Sequence, residues 1–351
     1  MTHLRKPVLM TGHLGYLGSV MLQYFRDAGY DVIGLDTGYY AEASFVPDGE
    51  PVPMITKDLR DVVAADLRSF YAVVHLGALS NDPIGNLDPH WTEDINHAAS
   101  VRIAELAREA GVRRFIFSSS CIMYGTSSAE VVDEESPLDP STEYARSKVK
   151  SEMAIRELAS DSFSPTFLRN GTVYGVSPRM RFDTVLNDLT ASAYTAKRVV
   201  VLGDGSPWRP VVHVEDVARS FVHVLGAPLA DVHNQAFNNG SDHLNHQILD
   251  LARIAAEAVP GSELVVEGRP SADRRTYRAS FAKFARTFPD FEWRWDVHAG
   301  VADLVAAYHR VGLTRADYED PRYIRLRWLQ HLIKAGRLDG SLRWTVAEVA
   351  R

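Results

Sequence analysis

Short apolar runs alternate with amphipathic stretches along the first 170 residues of the chain. The run at 8–10 stops at Thr11 and Gly12, which is typical of a buried strand that enters a turn. Further predicted strands, each a short apolar run, lie at 32–35, 72–76, 115–117 and 166–168. Apolar residues recur at helical spacing over 17–25, 95–110 and 144–158, which predicts amphipathic helices there. Such an alternation predicts an α/β fold with a parallel sheet and helices on both of its faces.

After about residue 170 prolines interrupt the pattern, and the spacing becomes less regular. The first domain is therefore predicted to span 1–170, with 209–237 returning to it as a strand–helix unit. A smaller mixed α/β domain is predicted over 171–208 and 238–351. The end of the chain mixes arginine, aromatic and leucine residues, which predicts a helix packed on the domain or on a partner.

Three glycines, Gly12, Gly15 and Gly18, recur at three-residue spacing between the first predicted strand and the first helix. Glycine is needed where a turn adopts positive φ and where the backbone must approach a pyrophosphate. The free N–H groups and the dipole of the helix then face the phosphates. The strand–turn–helix context predicts a dinucleotide site, and the alternative is a tight turn without a ligand.

Asp36 ends the second predicted strand, 24 residues after Gly12. A carboxylate at this position can accept hydrogen bonds from both hydroxyls of an adenine ribose, and it would repel the additional phosphate of NADP. The sequence therefore favours NAD as the cofactor. A solvated aspartate at a strand end is the alternative for this residue taken by itself.

Tyr144 and Lys148 lie at i and i+4 on one face of a predicted helix, about one loop after the serines 118–120. A phenol is a poor base at neutral pH, because its ordinary pKa is about 10. A neighbouring ammonium favours the phenolate and lowers that pKa. The pair taken alone is compatible with an exposed helix surface, and its position after the serine cluster is what predicts a shared site.

The glycine loop, Asp36, the serine cluster and the Tyr144–Lys148 pair together resemble the extended short-chain dehydrogenase/reductase family, whose fold is a Rossmann-type, doubly wound parallel sheet. The closer likeness is to nucleotide-sugar epimerases and dehydratases of the UDP-galactose 4-epimerase type. Further similar segments, which extend the match over about residues 7–285, are Asp58–Leu59, 75–78, Asn96, 118–125, 168–170, 173–175 and 208–218.

The resemblance implies site residues as well as a fold. Catalytic roles fall on Ser120, Tyr144 and Lys148. Cofactor contacts fall on Gly12, His13, Leu14, Gly15, Tyr16, Leu17, Gly18, Asp36, Asp58, Leu59, Leu76, Gly77, Ala78, Asn96, Tyr144 and Lys148. Contacts to a nucleotide-diphosphate sugar are expected from Ser80, Asn81, Asn170, Arg179, Asn187, Arg209 and Arg274. Ser80 and Asn81 are equally compatible with a plain turn, and the arginines with surface positions; Arg181 and Arg275 are neighbouring candidates.

The implied mechanism has Tyr144 take a proton from the sugar hydroxyl, usually at C4, as hydride passes to NAD. A 4,6-dehydratase would carry Asp-Glu where this chain has Cys121 and Ile122. Epimerisation needs only Ser120, Tyr144 and Lys148, so elimination favours an epimerase. A 4-keto-sugar reductase, a dehydratase and a catalytically silent dinucleotide-binding sensor or scaffold stay open. Cys121 is expected to be a small packed residue rather than an acid/base.

Composition narrows the classes of partner, metal site and cellular location that the sequence allows. The 351 residues carry 38 Lys+Arg against 45 Asp+Glu, a formal charge of −7, which argues weakly against nucleic acid as a partner. A single cysteine excludes an intrachain disulfide and a Cys-based zinc site, and none of the 13 histidines has convincing metal spacing. Neither a signal-like segment nor a membrane span is recognised, which favours a cytoplasmic soluble protein. Family analogy implies a homodimer through the helices that begin near Thr92 and Tyr144.

Overall fold

A computed structural model describes residues 6–80, 82–126, 130–268 and 275–345 of the chain; Asn86 is described by its backbone alone. The strands are β1 (Pro7–Thr11), β2 (Asp31–Asp36), β3 (Met54–Thr56), β4 (Ala72–His75), β5 (Arg114–Ser120), β6 (Ser164–Asn170), β7 (Thr172–Tyr174), β8 (Arg198–Val201), β9 (Trp208–His213), β10 (Gln235–Asn239), β11 (Asn245–Gln247) and β12 (Glu263–Val266).

The helices of the described chain alternate with these strands over most of its length. They are α1 (Tyr16–Asp27), α2 (Asp82–Leu87), α3 (Pro89–Trp91), α4 (Ala99–Glu109), α5 (Glu143–Arg156), α6 (Val185–Ala196), α7 (Val214–Gly226), α8 (Leu229–Val232), α9 (Ile248–Glu257), α10 (Ala282–Thr287), α11 (Val297–Val311), α12 (Arg315–Glu319) and α13 (Arg325–Lys334). A π-helical segment, Thr92–Ala98, precedes α4.

Seven strands form the main sheet in the order β10-β6-β5-β4-β1-β2-β3, and every neighbouring pair is parallel. Both faces of this sheet are covered. Leu9 of β1 packs in a cluster with Ile103 of α4, whereas Val8 and Met10 pack in another with Phe221 of α7. Since successive residues of a strand point to opposite faces, helices lie on both sides of the sheet, as the alternation predicts.

Two details of the sequence prediction are wrong. The strand predicted at 115–117 extends through the serines to Ser120, because β5 pairs with β6 over all seven of its residues, from Arg114 to Ser120. The strand expected to return with 209–237 is β9, which lies outside the main sheet and pairs with β7 and β11. The strand that joins the main sheet is β10, beside β6.

The C-terminal segment, 325–345, packs against the loop that follows β2. The indole of Trp328 donates a hydrogen bond to the Tyr39 carbonyl at 2.6 Å, and that of Trp344 donates to the Thr37 carbonyl at 2.6 Å. Leu329, Leu332 and Leu338 share a buried cluster with Tyr39. The helix expected near the end of the chain thus packs on the protein itself, next to the tip of β2.

Candidate active site

A cavity of about 1080 Å³ opens at the carboxyl ends of the main-sheet strands. Its described walls come from the turns after β1 and β4, the ends of β2, β5 and β6, helix α5 and the second half of the chain. This is the edge at which ligands bind in open parallel α/β sheets. The cavity contains both the predicted dinucleotide elements and the predicted catalytic residues.

The glycine turn leaves no room for side chains. Gly12 has φ +72°, and a Cβ added to it would lie 2.8 Å from the Gly77 backbone nitrogen. A Cβ added to Gly18 would lie 2.4 Å from the Gly12 carbonyl oxygen. Helix α1 begins directly after Gly15 with no side-chain cap and no acidic residue in its first turn. Its first N–H groups are therefore available to an anion, and the turn fits the diphosphate of a dinucleotide.

Asp36 lies at the tip of β2 and lines the same cavity. One of its carboxylate oxygens accepts a hydrogen bond from the Leu14 backbone N–H at 3.0 Å, and the other accepts from the Gly38 N–H at 2.8 Å. These bonds hold the carboxylate between the glycine turn and the loop after β2. The remaining lone pairs of an aspartate in this position suit the hydroxyls of a ribose.

Ser120, Tyr144 and Lys148 line the same cavity. Ser120 ends β5, and the Thr142 side chain caps α5 by accepting a hydrogen bond from the Ala145 N–H at 3.1 Å. The Lys148 ammonium donates to the Ser118 carbonyl at 2.7 Å and lies 5.8 Å from the centroid of the Tyr144 ring. The predicted i, i+4 pair and the serine of β5 are thus brought together in one place.

The pKa values of these groups depend mainly on burial. Burial raises the pKa of the Tyr144 phenol; Asp82 raises it further, whereas Arg181 and a hydrogen bond with Ser120 lower it. Burial also lowers the pKa of Lys148 to about 7, so that its charge is partly lost at neutral pH. The expected lowering of the phenol pKa by Lys148 is not seen in this structure, where the cation that lowers it is Arg181.

Polar groups from four segments line this cavity. Asp82 accepts hydrogen bonds from Thr142, at 2.6 Å, and from Arg275. Arg181 donates to the Ser80 hydroxyl at 3.1 Å and to the Asp183 carboxylate at 2.6 Å. The charges of Asp82 and Arg181 both act on the Tyr144 phenol, so these two groups lie near it.

Not every predicted contact residue lines the cavity. The residues that do so are Gly12, Gly15, Tyr16, Leu17, Gly18, Asp36, Asp58, Leu59, Leu76, Gly77, Ala78, Ser80, Ser120, Tyr144, Lys148, Asn170 and Arg209. His13, Leu14, Asn96, Arg179 and Asn187 are not among the lining residues. Asn81 and Arg274 lie outside the described residues.

The residues behind the wall have structural partners. Asn96 bonds both the N–H and the carbonyl of Leu79, at 2.7 and 3.0 Å, and so holds the turn after β4. Arg179 forms two bonds to the Asp48 carboxylate, at 2.7 and 3.0 Å. Asn187 donates to the Tyr16 hydroxyl at 3.1 Å. In this structure these side chains position the wall of the cavity rather than face its interior.

Cys121 follows Ser120 but points away from the cavity. Its side chain is fully buried, and its thiol donates to the Arg169 carbonyl at 3.0 Å. Burial raises the pKa of this thiol well above its ordinary value. Ile122 is the one of the two that lines the cavity. The expectation of a small packed cysteine agrees with this geometry.

Sequence reasoning missed several charged residues of the described cavity wall, among them Asp183, Asp188 and, last along the chain, Arg325. It is the first residue of α13 and reaches the cavity through the packing of the C-terminal segment on the loop after β2. A signal was available in hindsight: an arginine that follows Pro321 and Tyr323 at the start of an amphipathic helix. Nothing in the local pattern indicates which part of the protein that helix contacts.

Membrane spans and metal clusters are both absent from the described part of the chain. Its helices are too short or too polar to span a bilayer. Across 6–80, 82–126, 130–268 and 275–345, no group of three or more His, Cys, Asp or Glu side chains is arranged to hold a metal ion.

Comparison with known proteins places this site in a family. The model of the NAD dependent epimerase/dehydratase family matches residues 8–240, about two thirds of the chain. A UDP-glucose 4-epimerase of Mycolicibacterium smegmatis is 30% identical over 242 residues, which cover 66% of this chain and 76% of that protein.

Two solved structures resemble the fold. TunA, an NAD-dependent NDP-hexosamine 5,6-dehydratase of tunicamycin biosynthesis, has a TM-score of 0.78 and 24% identity, with 87% of this chain and 98% of that one covered. MoeE5, in complex with UDP-glucuronic acid and NAD, has a TM-score of 0.76 and 24% identity, with 87% and 99% covered. These likenesses confirm the predicted Rossmann-type fold.

Proposed function

The chain belongs to the NAD-dependent epimerase/dehydratase family, and we propose that it is an NAD-dependent epimerase that inverts C4 of a UDP-hexose through a transient 4-keto sugar. The observation that carries this proposal is one cavity lined by the glycine turn, Asp36 and the Ser120–Tyr144–Lys148 group. The similar UDP-glucose 4-epimerase supports the choice of a UDP-sugar. Asp36 supports NAD rather than NADP.

In this proposal Tyr144 takes the proton of the C4 hydroxyl when the sugar is oxidised and returns it when the ketone is reduced. Ser120 bonds the same oxygen, and Arg181 favours the phenolate that Tyr144 needs to act as a base. The chemistry that NAD supplies when bound is the reversible exchange of a hydride with C4. Inversion requires the 4-keto sugar to turn between the two transfers, and the side chains of Ser80, Arg181 and Asp82 would bound that movement.

The surroundings of Ser120 support epimerisation over dehydration. Ile122 lines the cavity and has no proton to transfer, while the Cys121 thiol is turned into the core. The carboxylate whose charge acts on Tyr144 is Asp82, which Thr142 and Arg275 already engage. A dehydratase would need a free acid or base near the hydroxymethyl group, and Asp82 is the candidate for that role whose charge acts on Tyr144.

The experiment is incubation of the purified chain with UDP-glucose and catalytic NAD, followed by chromatography of the UDP-sugars. Formation of UDP-galactose with no net change in NADH supports the proposal. Net NAD(P)H consumption with a 4-keto sugar nucleotide would indicate a reductase, loss of water a dehydratase, and binding without turnover a sensor or scaffold. A thermal-shift panel of UDP-, GDP-, CDP- and dTDP-sugars first identifies the nucleotide, since preferential binding to the native state raises the Tm.

Tyr144→Phe tests the assigned base. Removing the hydroxyl is expected to lower turnover by about 10²- to 10⁴-fold, the usual contribution of a general base, with NAD affinity nearly unchanged. Turnover at the wild-type rate in this variant would refute the assignment. The expected homodimer through the helices near Thr92 and Tyr144 stays a prediction, which sedimentation equilibrium of the same sample checks.

A further inference from the structure

Arg325 carries a positive charge into the cavity from outside the part of the chain that matches the family model. Its side chain is 3% exposed. One guanidinium nitrogen donates to the Arg179 carbonyl at 2.6 Å, and the guanidinium carbon lies 4.3 Å from the Tyr40 ring centroid. Among the residues that the structure describes, no carboxylate oxygen lies within 4.0 Å of its guanidinium nitrogens. A second guanidinium nitrogen donates to the Arg322 carbonyl at 3.5 Å, so Arg325 is a buried cation partnered by two carbonyls and an aromatic face.

The surroundings of Arg325 disfavour its charged form. Arg181 is a second arginine of the same wall, and both act on the Tyr16 and Tyr40 phenols. The Asp183 carboxylate between them bonds Arg181 with one oxygen and the Arg325 backbone N–H, at 3.2 Å, with the other. Asp183 thus pairs its carboxylate with the Arg181 guanidinium and contacts Arg325 through the backbone N–H alone. Arg325 also begins a helix, where the dipole disfavours a cation.

Burial and the charge of Arg181 together lower the pKa of Arg325 to about 10. A bound anion would relieve each of these penalties, because it supplies the missing negative charge to a group already removed from water. An anionic ligand group that contacts Arg325 would therefore be stabilised at this wall of the cavity.

The neighbours of the arginines indicate which anion it is. Tyr16 is the first residue of the helix whose N-terminus faces the glycine turn. Tyr40 follows Asp36 by four residues, and the Asp36 charge acts on its phenol. The arginine pair is therefore bracketed by the two elements that suit a dinucleotide. Arg209 and Arg275, the candidates for the diphosphate of the nucleotide sugar, have other partners: Arg209 donates to the Arg275 carbonyl, and the Arg275 guanidinium donates to Asp82.

We infer that Arg325 binds the diphosphate of the dinucleotide cofactor, so that the C-terminal segment completes the cofactor site. This inference rests on the proposed NAD dependence and adds a residue that the family-matched segment does not contain. The glycine turn offers backbone N–H groups to the diphosphate, and Arg325 supplies the full positive charge that those groups lack. Loss of the segment would therefore weaken cofactor binding without touching the catalytic residues.

The test compares Arg325→Met with Arg327→Met, an exposed arginine of the same helix. Isothermal titration calorimetry on nucleotide-free protein measures the Kd for NAD, ADP-ribose, adenosine, UDP-glucose and UDP-glucuronic acid. Arg325→Met is expected to weaken NAD and ADP-ribose about 10- to 100-fold, the range for a charge-assisted hydrogen bond, and to leave adenosine and UDP-glucose unchanged. Arg327→Met is expected to change none of them.

The Tm of the nucleotide-free variant separates binding from a structural role. Because the buried cation lacks a carboxylate partner, its removal is expected to leave that Tm unchanged or higher. A lower Tm with all ligands weakened alike would overturn the inference, and so would a loss confined to UDP-glucuronic acid, which would assign the arginine to a sugar carboxylate. Arg325→Gln, which keeps a donor for the Arg179 carbonyl, replaces the methionine variant if the latter does not fold.

Two failures remain distinguishable in this design. Wild-type protein that binds neither NAD nor ADP-ribose would contradict the proposed function itself. Wild-type protein that binds NAD, together with an Arg325→Met variant that binds it equally well, would contradict only the role of Arg325.

Discussion

Replacing Lys148 by methionine isolates the energetic cost of burying a lysine beside Ser120 and Tyr144. The side chain is 4% exposed, and its ammonium donates to the Ser118 carbonyl and lies 4.7 Å from the Phe117 ring centroid. Burial lowers the pKa of Lys148 to about 7, whereas an unfolded lysine has a pKa of about 10.4. Methionine keeps most of the apolar stem and removes the titrating group.

The sign follows from proton binding. Between pH 7 and about 10 the unfolded chain keeps a proton on Lys148 that the folded chain has lost, so the free energy of unfolding rises with pH across this window. The penalty is fully present below pH 7 and disappears above about pH 10. Each pH unit inside the window contributes about 1.4 kcal/mol, which gives roughly 2 kcal/mol between pH 7 and pH 9.

Urea unfolding at pH 7 and pH 9 measures this contribution as a difference between proteins. The wild-type unfolding free energy is expected to rise by roughly 2 kcal/mol more than that of Lys148→Met over this interval. Lys150→Met, at an exposed position of the same helix, is the control and is expected to follow the wild type. Equal pH dependence in the wild type and in Lys148→Met would refute the assignment of a buried lysine with a lowered pKa.

Two further substitutions test the packing around the site. Gly18→Ala places a Cβ 2.4 Å from the Gly12 carbonyl oxygen and is expected to weaken NAD binding at least about 10-fold by calorimetry, with Gly49→Ala, in open space, as the unchanged control. Glu152→Gln removes the buried charge that pairs with Arg169 at 2.6 Å and is expected to cost about 3–5 kcal/mol in urea unfolding; a cost under about 1 kcal/mol would contradict the importance of that pair.

Local pattern was sufficient for the parts of the site that lie close together in sequence. The glycine turn needs only a strand, three glycines and a helix, and the Tyr144–Lys148 pair needs only helical spacing. Asp36 followed from its place at the end of the next strand. In each case the geometry is set within one βα unit, so that sequence spacing and spatial position agree.

The features that the sequence did not predict depend on long-range packing. β3 has three residues, Met54–Thr56, and gives no periodicity from which a strand can be recognised. β9 reads as an ordinary apolar strand, but its partners are β7 and β11, which are short and polar in part. Arg325 lies in the cavity because the C-terminal segment packs on the loop after β2, to which Trp328 and Trp344 donate hydrogen bonds. Local spacing contains no information on any of these pairings.

The charged groups that act on the Tyr144 phenol are a second feature that the sequence did not predict. Spacing alone pointed to Lys148 as the cation that lowers the phenol pKa. In the structure Lys148 is itself a buried group with a lowered pKa, and Arg181, 37 positions further along the chain from Tyr144, is the cation that acts on the phenol. Burial is a property of the packed site, and helical spacing does not predict it.

Retention of a label at C4 tests the reversible oxidation most directly. UDP-glucose with deuterium at C4 is incubated with the protein and catalytic NAD in ordinary water, and both UDP-sugars are analysed by mass spectrometry and NMR. Transfer of one hydride out and back within the same cavity predicts that UDP-galactose keeps the deuterium at C4, with none lost to solvent. Epimer formed with hydrogen from solvent at C4, or inversion at a different carbon, would contradict the proposed role of the Tyr144 site.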